Sequence, residues 1–114
     1  MEKNKRIFAH YILYQGKIYK NTILEIGECN IGLFPFEQEI AETIFISGII
    51  VVCNNNISEI HKRRVLDILK SPHDLNYKSR EINRYFVSYD LYTCYNSQNM
   101  ILYYNEEQLK RINL

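Results

Sequence analysis

One hundred and fourteen residues suffice for one folded unit with a real core, and a composition of 46% apolar and 24% charged residues excludes a disordered or collagen-like chain. A net charge of +1 provides no global field for a polyanion or an anionic membrane. Three cysteines, Cys29, Cys53 and Cys94, stand in no pairing pattern and argue against a disulfide framework.

The chain begins with a charged segment, Met1 to Arg6, that leads into no signal-type apolar stretch with a small-residue cleavage site. Ile7 to Tyr14 is a continuous apolar and aromatic run, as expected of a strand buried on much of both faces. Gln15-Gly16 then supplies a tight turn, Lys17 to Ile26 a second strand, and Gly27 to Asn30 a second turn. Ile31 to Phe36 is a third strand, limited by Pro35, which cannot donate to a ladder. Glu37 to Glu42 is an acidic connector.

Thr43 to Cys53 predicts a fourth strand, interrupted at Ser47-Gly48, where an isolated glycine marks a bulge or a close backbone approach. Its apolar part, Ile44 to Cys53, is about half of the ~20 residues a membrane span needs, so a soluble cytoplasmic protein is expected. Asn54 to Asn56 breaks the strand, and Asn56 with Glu59 has capping-box spacing. A helix over 57–70 follows, with Ile57, His61, Val65 and Ile68 on one stripe, Ile60 and Leu69 beside it, and Pro72 as its stop.

Residues 71–81 read as an exposed loop. From Arg84 to Tyr95 an alternation of Tyr85, Val87, Tyr89 and Leu91 predicts a strand, with a hairpin loop at 96–99 and a return strand from Met100 to Tyr104. Asn105 and Gln108 repeat the capping spacing, which predicts a short closing helix over 106–112. The predicted fold is α+β and mainly β, one domain over 1–114: about six strands in a sandwich or partly open barrel, one helix at about 57–70 and a short C-terminal helix.

The stretch Ser47-Gly48-Ile49-Ile50-Val51-Val52-Cys53-Asn54-Asn55 resembles the Pro-Gly-Leu-Ile-Asp-x-His-x-His strand of amidohydrolase-type metal-dependent hydrolases. The order of strands and turns over 7–55, and more loosely 84–104, is similar to the small composite β-domain of that family, without the metal-binding barrel. The resemblance implies a β-scaffold but no hydrolysis. Cys53 and Asn55 stand at the two ligand positions, Ser47 replaces the Pro and Val51 the Asp, and no stretch remains for a barrel of ~250 residues.

The histidines His10, His61 and His73 have neither His-x-His nor His-x-x-x-His spacing, so no metal set is expected. Cys53, His10 and a carboxylate could serve as nucleophile, base and orienter, but a Cys in an aliphatic run reads as a small core residue. The glycines at 16, 27, 32 and 48 match no phosphate loop, and Glu37, Glu39 and Glu42 lack the oxygen-ligand spacing of a Ca²⁺ loop. No catalytic, cofactor-binding or metal residue is therefore assigned.

The leading expectation is a non-catalytic protein that acts by protein–protein interaction or self-association through a Tyr-rich hairpin at 85–104, since Tyr is enriched at interfaces. One alternative is a small hydrolase or metal-binding protein using His10, Cys53 or His73. The other is nucleic-acid binding through Lys62 to Arg84, which holds 7 basic and 3 acidic residues, although the near-zero net charge speaks against it.

Overall fold

The structure is a computed structural model that describes residues 5–26, 31–36, 43–54, 57–92, 99–105 and 108–112. Three strands, β1 (Lys5–Tyr14), β2 (Lys17–Ile26) and β3 (Ile31–Pro35), form an antiparallel meander. Gln15 and Gly16 link the first two with φ of +52° and +78°, the two positive values that match a two-residue turn to strand twist. The next strand, β4 (Thr43–Asn54), lies on the other side of β1 and runs parallel to it. Two helices, α1 (Glu59–Lys70) and α2 (Leu75–Ser88), lead to β5 (Asn99–Asn105), antiparallel to β4, and then to β6 (Gln108–Ile112). Among the described residues the result is one six-stranded mixed sheet, ordered β3-β2-β1-β4-β5-β6, with two helices. It is the mainly β α+β fold that composition predicts, but the strands lie in a single sheet rather than in two facing ones.

The expected helix after β4 is present, with a different cap. Ser58, not Asn56, is the N-cap, and its Oγ accepts from the His61 backbone N–H at 3.4 Å; Asn56 lies outside the described residues. Ser71 closes the helix, its Oγ donating to the Ile68 carbonyl at 2.7 Å just ahead of Pro72.

Residues 75–81 of the expected loop and 84–88 of the expected strand belong instead to the helix α2, while 71–74 form the connection before it and 93–95 lie outside the described residues. Asp74 caps it, accepting from the Tyr77 N–H at 2.8 Å, and an acid there also complements the helix dipole. Its buried residues, Ser79, Ile82 and Phe86, recur at three- and four-residue steps, a helical period that overrides the strand preference of Tyr85, Phe86 and Val87. Phe86 is fully buried, which contributes about 2–3 kcal/mol by the transfer scale.

The end of α2 is a Schellman motif: Leu91 N–H donates to the Phe86 carbonyl at 2.8 Å and Asp90 N–H to Val87 at 3.3 Å, with Asp90 left-handed at φ +55°. Asn54 ties this end to β4, donating from its backbone to Leu91 (2.7 Å) and from its side-chain amide to the Asp90 carbonyl (3.1 Å).

The expected closing helix is the strand β6. Asn105 and Gln108 are the closing pair of a hairpin, so the three-residue offset that suits a capping box here brackets a two-residue loop.

One buried cluster joins Leu13, Val51, Cys53 and Leu102 of the sheet to Val65, Leu69, Ile82 and Phe86 of the helices. A second contains only strand residues, among them Ile7, Ile12, Leu24, Ile50, Val52 and Ile101. The two together make β1 and β4 the central strands, β1 buried at Ile7, Ala9, Ile12 and Leu13 and β4 from Ile50 to Asn54.

Candidate interaction surface

The sheet is stepped. β3 pairs with Thr22–Ile26 alone and Phe36 covers the Asn21 carbonyl, so Lys17–Lys20 of β2 has β1 as its only described strand neighbour. β5 reaches only Ile49–Asn54 of β4, so Thr43–Ser47 also has β1 as its only described strand neighbour. With the outer sides of β3 and β6, the described residues therefore present four open edges. An open edge exposes unpaired backbone N–H and C=O groups and invites another strand unless charge, Pro or a bulge blocks it. Lys17 and Lys20 guard the β2 edge, Pro35 the β3 edge, and Lys110 with Arg111 the β6 edge. Thr43-Ile44-Phe45-Ile46 carries neither charge nor Pro, and the bulge at Ser47-Gly48 bounds it.

The same segment sits beside exposed aromatic surface. Phe34, Ile23, Phe8 and Phe45 are register partners across β3, β2, β1 and β4. Ile23 is buried beneath this row, while Phe34 is 49% and Phe45 54% exposed. Phe36 completes the group, with its ring 4.8 Å from Phe8 and 6.4 Å from Phe45. Phe36 is held by its backbone N–H, which donates to the Asn21 carbonyl at 3.2 Å. Asn21 reaches that position in the left-handed region, φ +45°, where Asn is tolerated better than most residues. Ile44, at the same edge, is 46% exposed. Isolated apolar residues are common on surfaces, but a contiguous group flanking an unguarded edge is the pattern of a docking site.

The described residues of the Tyr-rich segment at 85–104 belong to a helix end and a strand rather than to the two arms of a hairpin. Tyr85 lies on α2, and Tyr103 and Tyr104 lie on β5. Tyr92 is structural: its hydroxyl accepts from the Gln15 N–H at 3.1 Å, its ring meets Tyr14 and Phe86, and burial pushes its pKa up to about 12. Tyr95 lies outside the described residues. The aromatic surface beside Thr43–Ile46 is built of Phe, and the sequence alone could not reveal it, because register brings together rings from β1, β3 and β4.

The residues weighed for chemistry are dispersed. His10 is exposed on β1, edge-on to Phe8 at 6.0 Å, with Nδ1 3.5 Å from Asn21 Oδ1. Cys53 is buried among aliphatic side chains, and burial pushes its thiol up to about 12, which keeps it protonated rather than nucleophilic. Ala9 and Tyr11 pair with Ile46 and Ile49, so Cys53 lies about five residues beyond the level of His10, ~16 Å at ~3.3 Å per residue. His73 stacks on Tyr77 in the exposed turn between the helices, with ring centroids 4.0 Å apart. Among the described residues no group of three or more His, Cys, Asp or Glu gathers as a metal would require. Asn55, the second position of the amidohydrolase-like pattern, lies outside them, as do Cys29 and Cys94.

Between α1 and α2 runs an open groove of about 640 Å³ lined by Arg64, Ile68, Glu81, Arg84, Tyr85 and Tyr89. Tyr85 hydrogen-bonds to His61 Nδ1 at 2.6 Å. Burial and the neighbouring Tyr89 raise the Tyr85 pKa against the opposing pull of Arg64. Arg84 lies 3.7 Å from Glu81, so the basic residues of the 62–84 segment are interleaved with carboxylates and form no continuous stripe here. No described helix is long and apolar enough to cross a membrane.

Comparison with protein-family models, with curated proteins and with solved structures gave no match.

Proposed function

We propose that this chain is an interaction protein that works by strand addition: an extended segment docks along Thr43–Ile46 of β4, main-chain groups supply the hydrogen bonds, and Phe45 with its aromatic neighbours supplies the apolar contact. The observation that carries the reading is the contrast among edges. Among the described residues, Lys17 and Lys20, Pro35, and Lys110 with Arg111 stand on three of the four open edges, and only Thr43–Ile46, up to the bulge at Ser47-Gly48, carries neither charge nor Pro. Burial of Cys53 and its separation from His10 favour interaction over a hydrolase built on those residues.

The test is titration of the ¹⁵N-labelled chain with a short synthetic peptide of alternating Ile and Thr, an uncharged strand former. Shifts centred on the amides of residues 43–48, lost in Phe45→Lys, support the reading. Shifts confined to the α1–α2 groove, or none at all, refute it.

A further inference from the structure

We infer that the groove between α1 and α2 binds a small aromatic phosphate: a planar ring carrying one phosphate group, as in a nucleoside monophosphate or an aryl phosphate. The site is separate from the β4 edge and stands whether or not a strand docks there. Helical period builds it. On α1, His61, Arg64 and Ile68 recur at steps of three and four and so share one face. On α2, Glu81, Arg84, Tyr85 and Ser88 do the same, and Tyr89 at the helix end extends the stripe. The groove between the two stripes measures about 640 Å³, and the buried Ile68 gives it an apolar member. That volume is within the range of small-molecule sites. Two helices rather than loops carry the groove up to the α2 cap, so its groups are held in place.

The chemistry of the lining names the ligand. Arg64 is exposed and has no carboxylate partner among the described residues. Arg84 meets Glu81 at 3.7 Å, too long for a hydrogen bond, so its forked N–H groups can still donate. Guanidiniums from two facing helices suit a phosphate, which accepts forked donors on several oxygens at once. Arg64 acts on the Tyr85 phenol, so an anion at Arg64 stands near that hydroxyl as well. The bond from Tyr85 to His61 Nδ1, 2.6 Å, joins the two helices and fixes the Tyr85 ring. Tyr89 packs on both, 4.7 Å from Tyr85 and 4.9 Å from His61 between centroids, yet is 56% exposed. It is a positioned, open ring on which a second ring can stack. Two arginines against one carboxylate leave one positive charge in surplus, which suits a single phosphate and not a long polyanion.

The experiment is an NMR titration of the full ¹⁵N-labelled chain with adenosine 5′-monophosphate, phenyl phosphate, adenosine and inorganic phosphate. The two aromatic phosphates are expected to give saturable shifts on residues 61–68 and 81–89. Each binds at least about tenfold more tightly than inorganic phosphate, and the nucleotide at least about tenfold more tightly than adenosine, since ring and phosphate act together. Arg64→Gln weakens this binding at least about tenfold and Tyr89→Leu at least about fivefold. Arg63→Gln makes the same charge change at an exposed α1 residue outside the groove and leaves the affinity within about twofold. If Arg64→Gln does not fold by circular dichroism, Arg64→Lys serves in its place: it keeps the charge, loses the fork and weakens binding severalfold. A nucleotide that binds more tightly than phenyl phosphate assigns the site to nucleotides, and equal affinity assigns it to aryl phosphates at large. The inference is overturned if neither aromatic phosphate gives saturable shifts in the groove, or if inorganic phosphate binds as tightly as they do. It is equally overturned if Arg63→Gln weakens binding as much as Arg64→Gln, which would show a diffuse charge effect and no site.

Discussion

The carbonyl oxygen of Tyr104 lies 2.7 Å from the point where a Cβ on Gly48 would stand. Tyr103 closes the same space with a ring carbon at 3.1 Å, and Gly48 itself has φ +124°, a backbone region that side chains rarely enter. Next to Gly48 the register between β1 and β4 slips by one residue, the mark of a bulge. The glycine therefore lets β4 bend as β5 terminates against it, and this sets where the open edge starts. Gly48→Ala is expected to lower stability by about 2–4 kcal/mol, because the clashing atom is backbone and cannot rotate away. Chemical denaturation measures this; a loss below about 1 kcal/mol would show that β5 can retreat from β4 at little cost.

Much of this was legible from residue order. Gln15-Gly16, Pro35 and the Ser47-Gly48 interruption each mark a backbone requirement that only a few residue types meet, and each stands where the structure turns, ends or bulges. The helix α2 was hidden because Tyr85, Phe86 and Val87 favour strands locally. Its evidence is spread over Asp74, Ser79, Ile82 and Phe86, a period visible only when the span is read as a whole. β6 was hidden because one offset, Asn105 to Gln108, suits both a helix cap and a two-residue hairpin. The aromatic row could not be read at all, since Phe34, Phe8 and Phe45 come together through strand order and register, which long-range pairing determines.

Asp90 occupies the left-handed position of the Schellman motif that Gly usually fills. Its carbonyl accepts from Asn54 Nδ2, a bond that depends on backbone rather than on the Asp side chain. Asp90→Gly relieves left-handed strain and leaves that bond in place, so stability should stay level or rise by up to about 1 kcal/mol. Asp90→Val places a β-branched residue at φ +55° and should cost about 1–2 kcal/mol. Thermal melts of the pair test this; equal stability of both variants would mean that the end of α2 adapts to either backbone.

Ser79 presents a different case. It is buried on α2, and its Oγ has no hydrogen-bond partner among the described residues, so within them folding removes the hydroxyl from water without replacing the bond. Ser79→Ala keeps the helix, improves its propensity and removes the unsatisfied group. Stability is expected to rise by about 0.5–1.5 kcal/mol, read as a higher denaturant midpoint at unchanged slope. A lower midpoint would mean that the hydroxyl makes a bond on which the fold depends.

The alkaline limit of stability follows from Cys53 and Tyr92. Burial is the main cause in both, raising the thiol from 9.0 and the phenol from 10.0 to about 12 each. An unfolded chain releases the Cys53 proton from about pH 9 and the Tyr92 proton from about pH 10, whereas the folded chain holds both to about pH 12. Across this window the unfolded state binds fewer protons, so stability falls as pH rises; below pH 9 the contribution of both groups is complete and constant. Tyr92→Phe should lower stability at neutral pH by about 1 kcal/mol, through loss of the bond from Gln15, yet reduce the slope above pH 10. Cys53→Ala should reduce the slope from pH 9 upward. Denaturation midpoints from pH 7 to 11 measure both effects. At pH 8, iodoacetamide labelling of Cys53, followed by peptide mass mapping, should proceed only as fast as the core opens. Rapid labelling of the native chain, or a slope that neither variant changes, would place the alkaline sensitivity elsewhere in the molecule.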